Sequence, residues 1–177
     1  MKKYLLAGAA ALLLAPACFA GGAVLETPVA YTPDATVVDA VKAECKVEDM
    51  LAQDVGGALA KDNDGAGTID AKADASGKTV LRLRISFVMG VLGGGWTGPK
   101  AITVKPQLFE NGKMTREGKL TRWSTGGAFA AFKGTCDILK RCSKQIADDM
   151  VEWVKDPTYE LDDQDPPKDT SAPVAAK

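Results

Sequence analysis

The chain of 177 residues contains no histidine. This absence excludes Ser-His-Asp and Cys-His nucleophile systems, histidine-ligated zinc and HExxH proteases. An excess of one charge is missing as well, because 22 basic and 23 acidic side chains give a net charge of −1. A nucleic-acid-binding protein that relies on a basic surface would need a clear positive excess, so no nucleic-acid partner is predicted.

Long apolar runs are absent beyond residues 1–20, so no transmembrane span is predicted. Residues 1–20 combine two early lysines, a short apolar stretch and a small-residue exit, which is the pattern of a secretory signal peptide. We expect cleavage after Ala20 and a periplasmic or secreted protein. The alternative is a lipid anchor at Cys18, although Ala15 stands where lipoprotein signals usually have an aliphatic residue.

The remaining composition, 46% hydrophobic and 25% charged, is that of an ordinary globular protein. Residues 21–33 contain two prolines and indicate an extended lead-in, with a short edge strand at Val29–Tyr31. Residues 34–157 carry the periodic patterns of a single domain. Residues 158–177 are acidic and then rich in proline and alanine, which predicts a disordered tail.

Apolar residues at three- and four-residue steps predict a helix that starts near Thr32 or Thr36 and weakens or ends at Gly56-Gly57. Glu48 falls within its apolar stripe without an evident reason. A second helical stripe consists of Leu139, Cys142, Ile146, Met150 and Trp153.

Three strands lie between the helices. Apolar and polar residues alternate around 81–87, a second strand covers 101–109, and Asn111-Gly112 is typical of a hairpin turn into a third strand at 114–124. Pro106 and Gly118 leave the register of that hairpin open. The order predicts an α+β two-layer sandwich, with an antiparallel sheet of three to four strands and two parallel helices on one face.

The chemistry-bearing patterns are weak. Residues 62–73 approach a calcium loop, but Ala66 and Ala73 stand where ligands are required, and no metal site is predicted. The two glycine-rich loops, GVLGGGWTGPK and GGAFAAFKGT, lack P-loop spacing, and no cofactor is predicted. Lys133 in the second loop precedes a helix and could meet an anion there.

The charges of the second helix oppose its dipole, since Lys140, Arg141 and Lys144 lie near its start and Asp148, Asp149 and Glu152 near its end. Cross-helix ion pairs or an anionic partner would explain this pattern.

Three cysteines remain after signal removal, so at most one intramolecular disulfide forms. Cys136 and Cys142 are too far apart for a bridge if both are helical, because six residues rise by about 9 Å. Cys136 lies at a loop–helix junction and has more freedom than Cys142. We therefore predict Cys45–Cys136, with Cys142 buried and Cys45–Cys142 as the alternative.

The predicted strand directions bring both glycine-rich loops to one end of the sheet. Trp96, Phe129, Phe132 and Lys133 would then form one binding patch. The alternative is that these aromatic residues cap the core.

The segments GGGWTGPKAITV, TRWSTGGAFAAFKGTC, CDILKRCSKQIADDMVEWVKDP and AECKVEDML resemble a family of small secreted proteobacterial proteins of unknown function. The resemblance covers residues 35–157 and implies a fold but no activity. A more distant resemblance is to periplasmic lipoprotein domains of curli secretion, polysaccharide export and penicillin-binding-protein activation, which implies binding and assembly roles.

The leading hypothesis is a non-enzymatic binding or assembly accessory protein of the cell envelope, with an envelope protein or glycan as its partner. The alternatives are a secreted carboxylate-dependent hydrolase and a secreted inhibitor or effector. A deep cleft with convergent carboxylates would favour the hydrolase, whereas an exposed aromatic loop would favour the other two.

Overall fold

The computed structural model describes residues 22–63, 65–127 and 129–167. The predicted signal peptide and Cys18 lie outside these residues. In these residues, seven strands and three α-helices follow one another in the order β1 (Val24–Thr27), β2 (Ala30–Val37), α1 (Asp39–Cys45), α2 (Val47–Asp62), β3 (Thr68–Asp70), β4 (Thr79–Met89), β5 (Lys100–Glu110), β6 (Lys113–Glu117), β7 (Leu120–Ser124) and α3 (Thr135–Lys155).

The centre of the sheet is the long antiparallel pair β4–β5, which runs from Thr79 opposite Glu110 to Met89 opposite Ala101. The alternating residues predicted this pair. On one side, β6 and β7 pair in turn with the two halves of β5. On the other side, β1 and β2 pair in turn with the two halves of β4, and β3 adds to β1.

The prediction of an antiparallel sheet of three to four strands is therefore wrong. The described part of the chain forms a sheet of seven strands, which is mixed because β1 and β2 are parallel to β4 and β3 is parallel to β1. The segment expected to be a lead-in enters the sheet and buries Val24, Leu25 and Val29. The helical connection α1–α2 then returns the chain so that a parallel neighbour can form, which a short turn cannot do.

The first helix also differs from the prediction. The backbone stays extended through Val37, and the left-handed Lys46 (φ 44°) divides the helical segment into α1 and α2. The glycines at 56 and 57 do not end α2, which continues to Asp62. A Cβ at Gly56 would lie 2.5 Å from Thr68 Cγ2, so this glycine lets the helix approach β3 closely.

The predicted third strand is interrupted at residues 118–119 and forms β6 and β7. Gly118 N donates to Pro106 O over 3.0 Å, and the pairing register of β5 with β6 shifts at Leu108/Phe109. Pro106 thus lies inside β5, opposite the interruption. A proline has no N–H group to donate to a neighbouring strand, and the neighbouring chain is interrupted between β6 and β7 at this point.

The helices α2 and α3 are parallel, as predicted. Cys45, two residues before α2, is bonded to Cys136 at the start of α3. Further along the two helices, Asp54 pairs with Lys140 and Asp62 pairs with Lys155. The main core lies between these helices and the sheet. Its fully buried large apolar side chains include Leu25, Leu51, Leu59, Leu81, Leu83, Ile85, Ile102, Leu120, Leu139 and Ile146.

Part of the predicted disordered tail packs against the edge of the sheet. Gln164 N donates to Thr121 O over 3.4 Å, and Trp123 Nε1 donates to Gln164 O over 3.0 Å. Arg122 of β7 binds Asp149 of α3 with N···O distances of 2.6 and 2.8 Å, beside this segment. The chain after residue 157 therefore covers strand β7, while residues 168–177 lie outside the described part of the structure.

Candidate functional site

Two glycine-rich loops meet at one end of the sheet, which is where the strand directions predicted them to lie. The first connects β4 to β5 and contains the 3₁₀ turn Gly94–Thr97; the second connects β7 to α3 and contains the 3₁₀ turn Ala130–Phe132. Gly95 N donates to Lys133 O over 3.2 Å and joins them. We name this surface, formed by residues 90–99 and 125–134 with residue 128 outside the described structure, the loop end.

The aromatic side chains of the loop end face solvent. Trp96 is 82% exposed, Phe129 is 79% exposed and Phe132 is 88% exposed. Val91 and Leu92 add apolar surface, with exposed fractions of 46% and 36%. Most large aromatic side chains in folded proteins are largely buried, so three rings in this state at one place form an unusual surface.

The backbone of both loops is tightly constrained. Gly94 has a φ of 64°, and a Cβ at this position would lie 2.1 Å from the Lys133 carbonyl oxygen, so only glycine fits between the loops. Phe129 has a φ of 62°. A bulky residue in the left-handed region costs conformational energy, and such outliers concentrate at functional sites.

Thr97 and Thr135 connect the loops to the sheet and to α3. Thr135 Oγ1 accepts a hydrogen bond from Gly94 N (3.0 Å) and donates to Val91 O (2.9 Å). Thr97 Oγ1 lies 2.9 Å from Gly94 O. These bonds hold the backbone of the loop that carries Trp96 and join it to the start of α3, so this part of the loop end is an ordered base.

Lys100, at the start of β5, is fully buried. Its ammonium donates to Thr97 Oγ1 over 2.9 Å and to Gly98 O over 2.7 Å. Desolvation lowers the pKa of Lys100. Gly90 makes room for the side chain, since a Cβ there would lie 2.6 Å from Lys100 Cδ. The sequence reasoning missed this residue, because lysine is rarely buried and no local pattern marks it.

Lys133 also braces the loops, as its ammonium donates to Gly126 O over 2.7 Å. The predicted anion contact at this residue stays a prediction. Arg141, nearly two turns into α3, packs its guanidinium against Gly127, where a Cβ would lie 3.1 Å from Nη2. Lys133 and Arg141 therefore place positive charge at the second loop, which carries Phe129 and Phe132.

The cysteines lie beside the loop end. Cys45 and Cys136 form a disulfide with a Cα–Cα distance of 5.0 Å, which is the predicted pairing, and Cys142 is free and buried. Burial raises the pKa of the Cys142 thiol to about 12. The bridge ties the end of α1 to the start of α3, directly after the second loop.

The opposed charges of α3 are partly explained by ion pairs with neighbouring elements. Lys140 binds Asp54 of α2 over 2.7 Å, and Asp149 binds Arg122 of β7 over 2.6 Å. A groove between α2 and α3 is lined by charges of both signs, among them Asp54, Lys61, Asp62, Lys144, Asp148 and Glu152.

Glu48, for which the sequence offered no role, lies close enough to Tyr31 in the folded protein to affect its ionisation. Desolvation raises the pKa of Tyr31, and the Glu48 carboxylate raises it further. Glu48 Oε2 and the Tyr31 hydroxyl are both buried, and neither has a geometrically good hydrogen bond among the described residues.

The calcium-like segment makes structural contacts instead: Asp62 pairs with Lys155, and Asn63 Nδ2 donates to Ala23 O over 2.6 Å. Asp64 lies outside the described residues. Within the described ranges, no three acidic or cysteine side chains converge as metal ligands would. In the same part of the chain, no helix combines the length and apolarity needed to cross a bilayer.

The fold and the loop end define an α+β sandwich that carries an exposed aromatic surface at one end. No protein-family model matches the chain, and no curated protein matches it. Among solved structures, one match is a "putative lipoprotein" from Caulobacter crescentus CB15, with 16% identity and a TM-score of 0.38. The match covers 66% of this chain and 89% of the other. A likeness at this TM-score carries no argument about function.

Proposed function

We propose that this chain is an exported, non-enzymatic binding protein of the cell envelope and that the loop end is its binding surface. The observation that carries the proposal is the exposure of Trp96, Phe129 and Phe132 on an ordered base. Exposed apolar surface costs free energy in water, and clusters of it in folded proteins mark interaction sites. The hydrogen bonds of Thr97, Thr135 and Lys100 hold the loops in place without any partner, so binding would need little further ordering.

The disulfide supports an exported location, because such bonds persist in oxidising compartments such as the periplasm. The predicted signal peptide agrees with this location.

The five carboxyl groups whose pKa is shifted among the described residues are poor candidates for the general acid of the hydrolase alternative. A carboxyl group that acts as a general acid has a raised pKa. In each of these groups the pKa lies below its ordinary value; they are the carboxyl groups of Glu26, Asp34, Asp74, Asp156 and Asp163. Hydrogen bonds and ion pairs with neighbours such as Arg82 and Lys119 account for this direction, which suits structural roles.

Site-specific photo-crosslinking in cells tests the proposal. A benzophenone amino acid would replace Trp96 or, in a second variant, Phe132, and Met114 would serve as the control, because it is 43% exposed but lies in β6, away from the loops. We expect an envelope component to be crosslinked from positions 96 and 132 and not from 114. Equal crosslinking from all three positions, or none from 96 and 132, would contradict the proposal.

Trp96→Ala distinguishes a binding residue from a core residue. Because the ring is exposed, we expect the free energy of unfolding to change by less than about 0.5 kcal/mol in urea titrations. A loss of about 3 kcal/mol or more would instead assign Trp96 to the core.

A further inference from the structure

We propose that the loop end docks onto a phospholipid bilayer that contains anionic lipids, with Trp96, Phe129 and Phe132 inserted among the headgroups. This inference rests on the proposed function and specifies the partner of the same surface.

The shape of the loop end favours a fluid partner. Each of the three rings keeps at least 79% of its surface exposed, so each projects from the protein instead of lying flat on it. A protein partner would need a separate pocket for each ring. A bilayer interface adapts to any projecting shape, and tryptophan and phenylalanine are typical of residues that enter it.

The charge distribution favours an anionic bilayer. Residues 90–99 contain no charged side chain, and residues 125–134 contain only Lys133. Arg141 adds a second cation beside the second loop. The acidic group next to these cations, Asp137, accepts a hydrogen bond from Gly134 N over 3.2 Å. Inserted rings would therefore bring Lys133 and Arg141 to the level of the phosphates, which attract basic groups.

The polar groups at the loop end make a glycan a weaker candidate. A sugar is bound through hydrogen bonds as well as by stacking on rings. Here the hydroxyl groups of Thr97 and Thr135 already bond to the backbone of the loops.

A second copy of the chain is also a poorer fit. The groove between α2 and α3 carries charged groups such as Asp54, Asp148 and Lys144. An inserted ring would desolvate them without satisfying them.

Vesicle flotation of the purified, disulfide-bonded protein tests this inference, with phosphatidylcholine vesicles prepared with and without phosphatidylglycerol. We expect flotation with the phosphatidylglycerol vesicles. Trp96→Ala and the double variant Phe129→Ala/Phe132→Ala should each weaken the apparent affinity about tenfold or more, because each removes apolar surface from the interface. Met114→Ala, in β6, should bind as the parent does.

Two further variants separate insertion from charge attraction. Trp96→Phe should keep vesicle binding but lose most of the fluorescence quenching by brominated lipids, since Trp153 is 3% exposed and Trp123 is half-buried beside Gln164. Arg141→Gln should weaken binding severalfold at low salt and less at high salt, because salt screens the attraction to lipid phosphates.

Two results would overturn the inference: no flotation of the folded protein, or equal flotation of Trp96→Ala and the parent. If position 96 nevertheless crosslinks to a protein in cells, the bilayer inference fails and the proposed binding function stands. If position 96 crosslinks to nothing and no flotation occurs, both fail.

Discussion

The two ends of the sheet connect their strands in different ways. At one end, which we name the hairpin end, Asn111 and Gly112 join β5 to β6 in two residues, both with positive φ. At the loop end, ten residues connect β4 to β5, and a second glycine-rich segment connects β7 to α3. The sheet itself requires neither the length of these loops nor their exposed rings. This difference is one reason to place the proposed binding surface at the loop end.

Buried charges are also stabilised differently towards the two ends of the sheet. Glu26, in β1, accepts two hydrogen bonds of 2.7 Å from Arg82, so opposite charges meet. Lys100, at the loop end, donates to the neutral acceptors Thr97 Oγ1 and Gly98 O. Because the buried ammonium of Lys100 is hydrogen-bonded by neutral groups of the loop, its burial is favourable only while the loop keeps this conformation.

The disulfide beside the loop end should have the largest effect on stability. Cys45 and Cys136 are 91 residues apart, and in the chain-entropy model a crosslink closing so long a loop stabilises the folded state by about 4 kcal/mol. Cys45→Ala/Cys136→Ala should lower the free energy of unfolding by this amount in urea titrations. The parent protein under reducing conditions is the control and should behave like the variant. A difference below about 1 kcal/mol would assign the stability of this end to the hydrogen bonds alone.

A pair of glycine substitutions compares the two ends directly. Gly94 and Gly112 both have positive φ (64° and 75°), but a Cβ at Gly94 would meet the Lys133 carbonyl at 2.1 Å, whereas nothing lies within 4 Å of one at Gly112. Gly112→Ala should cost about 1 kcal/mol from backbone strain alone. Gly94→Ala should cost about 3 kcal/mol, because the loops must also move apart. Equal costs in thermal or urea unfolding would show that the loops are not tightly packed together.

A third comparison uses the pH dependence of the Glu26 pair. The hydrogen bond from Arg82 lowers the pKa of Glu26 below its ordinary value of 4.5, against the opposing effect of burial. The stabilisation is therefore fully present above about pH 4.5 and is lost as the pH falls through the lower pKa of the folded state.

Glu26→Gln should cost about 2 kcal/mol at neutral pH, and the difference from the parent should shrink on acidification. Unfolding followed at several pH values measures this. Asp74→Asn, at an exposed turn, should show a much smaller difference. A Glu26→Gln effect that stays constant with pH would show that the carboxylate charge does not contribute.

The sequence was most informative where neighbouring residues carry the pattern. The alternation around 81–87, the Asn111-Gly112 turn and the helical spacing from Leu139 to Trp153 predicted β4, the hairpin and α3. The same local order placed Trp96 and Phe129 at one end, since consecutive antiparallel strands alternate in direction. Their exposure did not follow from the pattern, because a ring among glycines can fold inward or outward.

The failures share one physical cause. Strand β1 pairs with residues more than 40 positions away, Leu25 opposite Thr68 and opposite Leu81. Its four residues are too short for a periodic pattern, and Pro28 follows it directly. Strand β1 joins the sheet because it is buried against β3 and β4, which are distant in sequence. A local sequence pattern does not show such contacts.

By itself, the sequence determined the elements with clear periodicity and excluded chemistry that depends on histidine. Only the tertiary structure decided the mixed direction of the sheet, the burial of Lys100, the packing of Gln164 against β7 and the outward position of the rings. These features depend on which distant surfaces meet and on whether each buried polar group finds a partner there. The free energy that favours these features comes from contacts between distant segments, so no single segment contains it.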